Sequence, residues 1–159
     1  MFCLQFLSTL GWTSIEADDQ YLKSITFLDN RTETVCSEPN DICEQTKLQL
    51  EEYFYSKRKT FELPLNPEGS SFQQSVWQQL LKIPYGQTTT YARIAGQLNN
   101  PLSVRAVGSA NGQNPLAIVI PCHRVIGTSG ALIGYAGGLW RKQKLLELEG
   151  FLQIQPSLF

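Results

Sequence analysis

The feature that most constrains this fold is a change of character near the middle of the chain. Residues 63–69, rich in proline and glycine, interrupt the regular patterns on either side and are typical of a linker. The net charge changes sign at the same place: residues 1–71 hold 6 Lys/Arg against 12 Asp/Glu, a net charge of −6, and residues 72–159 hold 7 against 2, a net charge of +5. The sequence therefore predicts two units with different roles, a domain over 1–65 and a domain over 70–159.

This charge split leaves two interpretations open. The basic half could contact the phosphates of a nucleic acid, or the two oppositely charged halves could simply attract each other. The net charge of the whole chain, −1, favours neither interpretation.

Composition argues against several classes of protein. Hydrophobic residues make up 42% of the chain and charged residues 17%, which permits a buried core and argues against disorder. No apolar run approaches the roughly 18 residues needed to span a bilayer. The apolar residues 1–10 lack the basic start and cleavage site of a signal peptide. We therefore expect a soluble, cytoplasmic protein without a membrane partner.

The cysteines do not form a scaffold pattern. Cys3, Cys36, Cys43 and Cys122 contain no Cys-x-x-Cys pair, and a chain of this size and composition does not need disulfides to fold. We therefore expect reduced thiols, no bound metal and no other cofactor.

The first half predicts a small α/β unit. Residues 21–28 alternate as a strand with Ile25 on its inner face, and residues 29–30 favour a turn. Asp41 can cap a helix that runs to about Tyr55.

The second half predicts mainly helices. Ser71 can cap a helix that continues to Leu80, and Ile-Pro-Tyr-Gly at 83–86 ends it. A final helix fits residues 139–149, with Gly150 as its C-cap.

Two short helices between these have the layout of a helix-turn-helix, although many helical bundles give the same pattern. Thr90 can cap a helix that runs from Tyr91 to Leu98, and Asn100 followed by Pro101 is a start signal for a second helix. Small residues in the second helix would let it approach DNA closely. Its exposed face would carry the predicted DNA-binding residues Arg105, Ala106, Ser109 and Ala110.

Cys122 and His123 are the centre of the predicted chemistry. The apolar residues 117–120 predict a buried strand directly before them, and Pro121 can help the backbone to turn. A thiol of ordinary pKa, about 8.5, is only slightly ionised at neutral pH, so an imidazole that accepts its proton would activate it. The alternative is a structural cysteine of the core, which is the commoner role of a free cysteine.

The final helix places charges against the helix dipole. Arg141 and Lys142 lie near its start, and Glu147 and Glu149 lie near its end. Departures from a local rule often mark functional residues. Glu149 could orient His123, as a third group orients the base of a catalytic triad, whereas Glu147 fits a solvated face.

These residues belong to a recognisable pattern. Pro-Cys-His-Arg-Val at 121–125 resembles the active-site signature of the O6-alkylguanine-DNA alkyltransferases, also called methylated-DNA–protein-cysteine methyltransferases. The resemblance extends in order, with matching spacings, over 72–77, 83–86, 90–91, 105–108, 114–115, 134–138 and 145–150. The first half resembles the family only in general layout.

The resemblance implies DNA repair by direct reversal. An alkyl group, such as methyl, would move irreversibly from O6-alkylguanine in double-stranded DNA to the protein's own cysteine, with O4-alkylthymine as a second candidate substrate. The protein would act once, as a monomer, because a duplex with one damaged base offers no symmetry for a dimer.

The resemblance also implies catalytic roles by position. Cys122 would accept the alkyl group, His123 would take the thiol proton through a water, and Glu149 would hold the imidazole. Asn114 would brace the turn that carries the cysteine.

The guanine pocket is implied in the same way. Tyr91 and Lys142 would lie at this pocket, where Tyr91 can supply a proton or a hydrogen bond to the leaving guanine. The carbonyls of Cys122 and Val125 would accept from the exocyclic amine, and the Ala136 amide would donate to the alkylated oxygen. The substrate-binding residues implied are Val125, Tyr135, Ala136, Ala117 and Ile133.

Base flipping completes the expected reaction, since an alkylated base must leave the stack to be reached. Arg105 would enter the duplex and fill the gap. An ordinary phosphate contact is the simpler role for this arginine.

Two other functions stay open on the residues alone. A related group that has tryptophan at the cysteine position binds lesions without repairing them, and this function would require Cys122 to be buried and inert. A Cys-His hydrolase with Glu149 as the orienting group would turn over esters or peptides. Some family members hold a structural zinc in the first half, but here that half has no histidine and no standard zinc spacing, so no metal is expected.

Overall fold

The N-terminal half is built on a three-stranded antiparallel meander. Strands β1 (Phe2–Ser8), β2 (Gly11–Ala17) and β3 (Leu22–Phe27) pair in chain order. Strand β3 confirms the prediction over 21–28, whereas no prediction covered β1 and β2. In β2 Thr13, Ile15 and Ala17 are buried on one face, and Ser14 is buried on the other.

The computed structural model describes residues 1–29 and 36–152. The turn predicted at 29–30 lies partly outside the described residues.

Helix α1 (Asp41–Phe54) covers one face of this sheet. Cys43, Leu50 and Tyr53 are fully buried on its inner side. Its N-cap is Asn40, whose side-chain oxygen accepts from the Cys43 amide at 3.0 Å. The prediction that Asp41 is the cap is therefore wrong by one residue, and Asp41 instead opens the first turn, where its charge suits the helix dipole.

A disulfide joins Cys3 in β1 to Cys36, with 5.5 Å between their Cα atoms. The expectation of four reduced thiols is therefore wrong for this pair. The physical reason is tertiary: the segment that leads into α1 runs beside β1, where the Cys3 amide donates to the Glu38 carbonyl at 3.3 Å. Cys43 and Cys122 carry free thiols.

The segment over 63–69 is bound to the sheet along part of its length. Leu65 forms an isolated parallel bridge with Leu22, and the Leu22 amide donates to the Pro64 carbonyl at 2.7 Å. The segment therefore extends the edge of the sheet at β3.

A second bridge ties β3 to the C-terminal half. It pairs Ile25 with Leu116, and the Ile25 amide donates to the Pro115 carbonyl at 2.8 Å. Since the halves share buried contacts, the division into domains over 1–65 and 70–159 stays a prediction.

The C-terminal half is mainly helical, which confirms the predicted fold class. Its helices are α2 (Ser71–Leu80), α3 (Tyr91–Gln97), α4 (Val104–Gly112) and α5 (Leu139–Leu148). Two short strands, β4 (Thr89–Thr90) and β5 (Val125–Ile126), pair in parallel and fix the start of α3 beside the segment that follows Cys122.

The starts of α3 and α2 test the N-caps that were predicted from the local sequence. Thr90 caps α3 as predicted, since its hydroxyl accepts from the Arg93 amide at 3.1 Å. Helix α2 is capped by Ser70 rather than by the predicted Ser71. The Ser70 hydroxyl accepts from the Gln73 amide while the Gln73 side chain accepts from the Ser70 amide, which is a capping box.

Helix α4 begins later than predicted. Asn100 and Pro101 form a turn instead, because the Ser103 amide and hydroxyl both donate to the Asn100 carbonyl, at 3.0 and 2.6 Å. Helices α3 and α4 still pack against each other as the predicted helix-turn-helix-like pair, with Ile94 and Val107 fully buried.

Residues 117–120 form tight turns, so the strand predicted there is wrong. The Val119 amide donates to the Ala117 carbonyl at 2.8 Å, and the Ile120 amide donates to the Leu116 carbonyl at 2.9 Å. Ile118 adopts a φ of +72° between them. The predicted burial is largely correct, because Ile118, Val119 and Ile120 all lie in the core.

Over residues 1–29 and 36–152, no helix combines the length and the apolar character that crossing a membrane requires.

The capping box of α2 yields a first prediction. Ser70→Ala removes the hydroxyl that satisfies the Gln73 amide, so the free energy of unfolding should fall by about 1 kcal/mol. Ser71→Ala is the matched control and should change it little, because Ser71 is exposed and follows the cap. Urea denaturation of both variants measures the difference, and an equal loss in the two would contradict the assignment of the cap.

Candidate active site around Cys122

Cys122 opens a short 3-10 turn directly after Pro121. The turn spans Cys122–Arg124 and is closed by the Arg124 amide, which donates to the Pro121 carbonyl at 3.0 Å. Adjacent side chains of an extended segment would point apart, so this turn supplies the bend that a Cys-His pair needs. The Cys122 side chain is nearly buried, with 5% of the residue exposed.

His123 is fully buried and paired with Glu149. Its Nε2 lies 2.7 Å from the Glu149 Oε2. Since a carboxylate can only accept, Nε2 carries the proton and the neutral ring leaves Nδ1 with a free lone pair. Nδ1 is buried and meets no hydrogen-bond partner among residues 1–29 and 36–152.

The charges of this pair follow from burial and contact. Burial alone would raise the pKa of the Glu149 carboxyl, but the hydrogen bonds from His123 and Arg124 outweigh it and hold that pKa well below its usual range. Burial lowers the pKa of His123 despite the neighbouring carboxylate. At neutral pH the pair is therefore a neutral imidazole beside an ionised carboxylate.

Arg124 is a functional residue that sequence reasoning missed, although it lies inside the signature at 121–125. Its Nε donates to the Glu149 Oε1 at 2.8 Å, and its Nη2 donates to the Oε2 at 3.0 Å. Its Nη1 donates to the Ile83 carbonyl at 2.7 Å. This bidentate pair neutralises the buried carboxylate.

Burial raises the pKa of the Cys122 thiol to about 11, while Asn114 and the charge of Lys142 act in the opposite direction. The thiol is therefore protonated at neutral pH until a base takes its proton.

Asn114 holds the turns before the cysteine. Its side-chain amide donates to the Ile120 carbonyl at 2.8 Å, and its carbonyl oxygen accepts from the Leu116 amide at 2.9 Å. Asn111, which no sequence signal singled out, is buried nearby, and its side-chain amide donates to the Cys122 carbonyl at 3.3 Å.

Lys142 is fully buried in the first turn of α5. Its Nζ donates to the carbonyls of Val125, Ile133 and Gly134 at 2.5, 2.9 and 3.2 Å, and lies 3.5 Å from the Tyr91 hydroxyl. Burial lowers its pKa to about 8. The Lys142 ammonium thus joins two backbone segments, at Val125 and at 133–134, around one point.

Tyr91 lies at the edge of this cluster. Its hydroxyl donates to the Ile133 carbonyl at 2.7 Å. Burial raises its pKa above the usual value, so the hydroxyl stays protonated and remains a donor.

Two cavities are lined in part by residues of this site. The first has a volume of about 240 Å³ and reaches Cys122 together with Ala117, Tyr135 and Ala136, three of the predicted substrate-binding residues. The Tyr135 hydroxyl is buried and has no hydrogen-bond partner within the described ranges.

The second cavity, of about 310 Å³, is lined by Tyr91, Val104, Gly108, Ile133 and Gly134. In the free protein Ile133 therefore lines a different cavity from Ala117 and Ala136, beside Tyr91, and its role in substrate binding stays a prediction. Gly134, with a φ of +67°, turns the chain there and leaves Ile133 half exposed on the other side. Val125, the first residue of β5, is fully buried, and its carbonyl accepts from the Lys142 Nζ.

The predicted DNA-binding residues divide into two groups. Arg105, Ala106 and Ser109 are exposed on α4, as expected. Ala110 is 2% exposed and faces the core, so its assignment to the exposed face is wrong. The reason is packing against α2, where the Trp77 Nε1 donates to the Ala110 carbonyl at 2.9 Å.

Within the described part of the chain, no three His, Cys, Asp or Glu side chains gather as a group that could hold a metal ion.

Comparison with known proteins assigns this arrangement to a class. A family model described as 6-O-methylguanine DNA methyltransferase, DNA binding domain, matches residues 71–151. The methylated-DNA–protein-cysteine methyltransferase of Methanosarcina acetivorans is 44% identical over 154 residues, which cover 94% of this chain and 99% of that protein.

Solved structures agree with this class. The crystal structure of the O6-methylguanine methyltransferase of Mycobacterium tuberculosis is 41% identical, covers 93% of this chain and 92% of its own, and has a TM-score of 0.85. A structure of OGT from the same organism in complex with DNA is also 41% identical, covers 94% and 92%, and has a TM-score of 0.85.

The class is therefore that of proteins whose own cysteine accepts an alkyl group. The chain belongs to the methylated-DNA–protein-cysteine methyltransferase family, as the sequence resemblance indicated.

The contacts of Asn114 yield a second prediction. Asn114→Ala removes the side chain that holds the turn before Cys122 and acts to lower the pKa of its thiol, so this pKa should rise further and the reaction of Cys122 with iodoacetamide at pH 8 should slow about tenfold. Mass mapping of the labelled peptide measures the rate. The exposed Asn66→Ala is the control, and equal rates in the two variants would contradict this role.

Proposed function

We propose that this chain repairs O6-alkylguanine in double-stranded DNA by transferring the alkyl group to Cys122, and that each molecule acts once. The observation that carries the proposal is the chemistry behind Cys122. A neutral imidazole follows it directly in a tight turn, with Nε2 held by a buried carboxylate and the lone pair of Nδ1 left without a partner among the described residues.

The proton of the thiol is the first requirement. A thiol with a pKa of about 11 is scarcely ionised at neutral pH. His123 accepts this proton at Nδ1 through a water, and Glu149 stabilises the imidazolium that forms. The positive charge of the His123 imidazolium then lies against the negative charge of Glu149, and both side chains are fully buried.

The transfer step is a displacement at carbon. The Cys122 thiolate forms a bond to the alkyl carbon while the bond from that carbon to the guanine O6 breaks, and its electron pair stays on the guanine. Tyr91 supplies a proton or a hydrogen bond to the departing base. For this, its hydroxyl must turn away from the Ile133 carbonyl, to which it donates at 2.7 Å in the free protein.

The backbone around the cavity recognises guanine. The carbonyls of Cys122 and Val125 accept from the exocyclic amine, and the Ala136 amide donates to the alkylated oxygen. The Val125 carbonyl already accepts from Lys142, and its second lone pair serves the guanine. The Cys122 carbonyl accepts from the Asn111 side chain and from the Val125 amide, so the guanine amine has to replace or share one of these bonds. Tyr135 and Ala117 line the cavity that receives the alkyl group.

Helix α4 contacts the DNA. Ala106 and Ser109 allow its exposed face to come close to the duplex, and Arg105 fills the gap that the flipped nucleotide leaves. The OGT of Mycobacterium tuberculosis, 41% identical to this chain, forms a complex with DNA, which supports DNA as the partner. The protein works as a cytoplasmic monomer.

Intact mass tests the proposed function directly. After incubation with a duplex that carries one O6-methylguanine, the protein should gain the mass of a single methyl group that replaces the thiol hydrogen, mapped to the peptide with Cys122. The variant Cys122→Ala should gain nothing.

Two other outcomes of these measurements would favour a different function. Binding to the duplex without a change of mass would overturn alkyl transfer and favour a lesion-binding protein with an inert, buried cysteine. Turnover of an ester or peptide substrate in place of a single event would favour a Cys-His hydrolase.

The role of Arg105 gives a separate prediction. Arg105→Ala should slow transfer from duplex DNA about tenfold or more, because the cost of flipping, a few kcal/mol, is no longer offset. Transfer from free O6-methylguanine base should be unchanged, since nothing is flipped. Lys57→Ala, which removes an exposed positive charge from the other half, is the matched control. Equal losses on both substrates would show that Arg105 acts on the fold instead.

A further inference from the structure

We propose that Tyr53 of α1 is a positioning residue of the active site, acting through Glu149. It joins the N-terminal half to the reaction and controls how strongly Glu149 holds His123. This inference rests on the proposed function for the part that concerns the rate of transfer.

The contact between Tyr53 and Glu149 joins residues that lie far apart in the sequence. Tyr53 lies in the last turn of α1, is fully buried, and donates its hydroxyl to the Glu149 Oε2 at 2.6 Å across a separation of 96 residues. The same oxygen holds the His123 Nε2 at 2.7 Å. The phenol and the imidazole therefore compete for one acceptor atom.

The ring of Tyr53 is held by its neighbours. Its centroid lies 5.5 Å from that of Phe61 and 6.1 Å from that of Tyr85, the latter in an edge-to-face arrangement. Burial and the charge of Glu149 raise the pKa of the Tyr53 hydroxyl well above its usual value, so it stays protonated and can only donate to the ionised carboxylate.

The surroundings of Glu149 show what the phenol adds. The Oε1 accepts from the Arg124 Nε at 2.8 Å and from the Gly86 amide at 3.2 Å. The Oε2 accepts from His123, from the Arg124 Nη2 at 3.0 Å and from Tyr53. Since each donor draws charge from the carboxylate, Tyr53 weakens the attraction of the Oε2 for the imidazolium.

The other charges around His123 come from two elements. Arg124 in the same turn and Lys142 in α5 both lower its pKa, and Glu149 at the end of α5 raises it. Among these groups Glu149 is the one that Tyr53 contacts. Removal of the phenol hydroxyl should therefore raise the pKa of His123, and the orphaned lone pair should leave the carboxylate less well fixed.

The chain offers an unusually direct measurement, because His123 is its one histidine. Heteronuclear NMR of the imidazole nitrogens as a function of pH reads the pKa of His123 and its tautomer without assignment. The variants are Tyr53→Phe, which loses only the hydroxyl, and Tyr85→Phe as the matched control, whose hydroxyl donates to the Leu148 carbonyl at 3.3 Å rather than to Glu149.

In Tyr53→Phe we expect the pKa of His123 to rise by about half a unit to one unit. Alkyl transfer needs neutral His123. The single-turnover rate is therefore at its plateau above the pKa of His123 and decreases as the pH falls through that pKa. The acid limb of the rate should therefore move to higher pH by the same amount, with a plateau several-fold lower. Tyr85→Phe should leave both unchanged.

A second substitution covers the case in which Tyr53→Phe does not fold. A ring-fluorinated tyrosine placed at position 53 keeps the shape and is a stronger donor, so it should shift the pKa of His123 downward. No shift of this pKa in a folded variant, or a lower rate with an unmoved pH profile, would overturn the proposal. Since the NMR titration needs no DNA, it tests Tyr53 even if Cys122 gains no methyl group.

Discussion

The buried carboxylate of Glu149 is the interaction on which the rest of this structure depends. An ion taken out of water costs several kcal/mol unless hydrogen bonds and an opposite charge compensate it. Here Arg124 supplies the charge, and His123, Gly86 and Tyr53 supply further donors. These donors come from α1, from the loop after α2, and from the turn that carries Cys122, so one compensated charge brings the two halves and the nucleophile into register.

Buried positive charges lie at the other end of α5, near its start. Arg141 and Lys142 lie in its first turn, where the helix dipole disfavours positive charge. Both are buried because they serve backbone carbonyls: Lys142 binds those of Val125, Ile133 and Gly134, and Arg141 binds that of Leu10 at 2.8 Å. The local cost of the charges is offset by tertiary hydrogen bonds that shape the cavity wall and fasten the helix to the first hairpin.

Predictions from local patterns succeeded where the physical cause is also local. The cap of α3 at Thr90 follows from a side chain that reaches an amide three residues ahead. The errors have causes outside the pattern. Ser70 rather than Ser71 caps α2 because the reciprocal bond with Gln73 selects between two adjacent serines. Residues 117–120 are as apolar as a buried strand, yet they turn, because Asn114 and Leu116 bind their backbone groups.

The sequence by itself determined the family and the helical character of the second half, and it predicted the nucleophile and its base. Those properties lie in spacings along the chain, and the Cys-His pair is adjacent in it. Tertiary structure alone decided that Cys3 meets Cys36, that Ala110 faces inward and that Tyr53 shares an oxygen with His123. Such pairings join segments far apart in sequence, and the periodicity of one segment carries no information about which other segment will cover it.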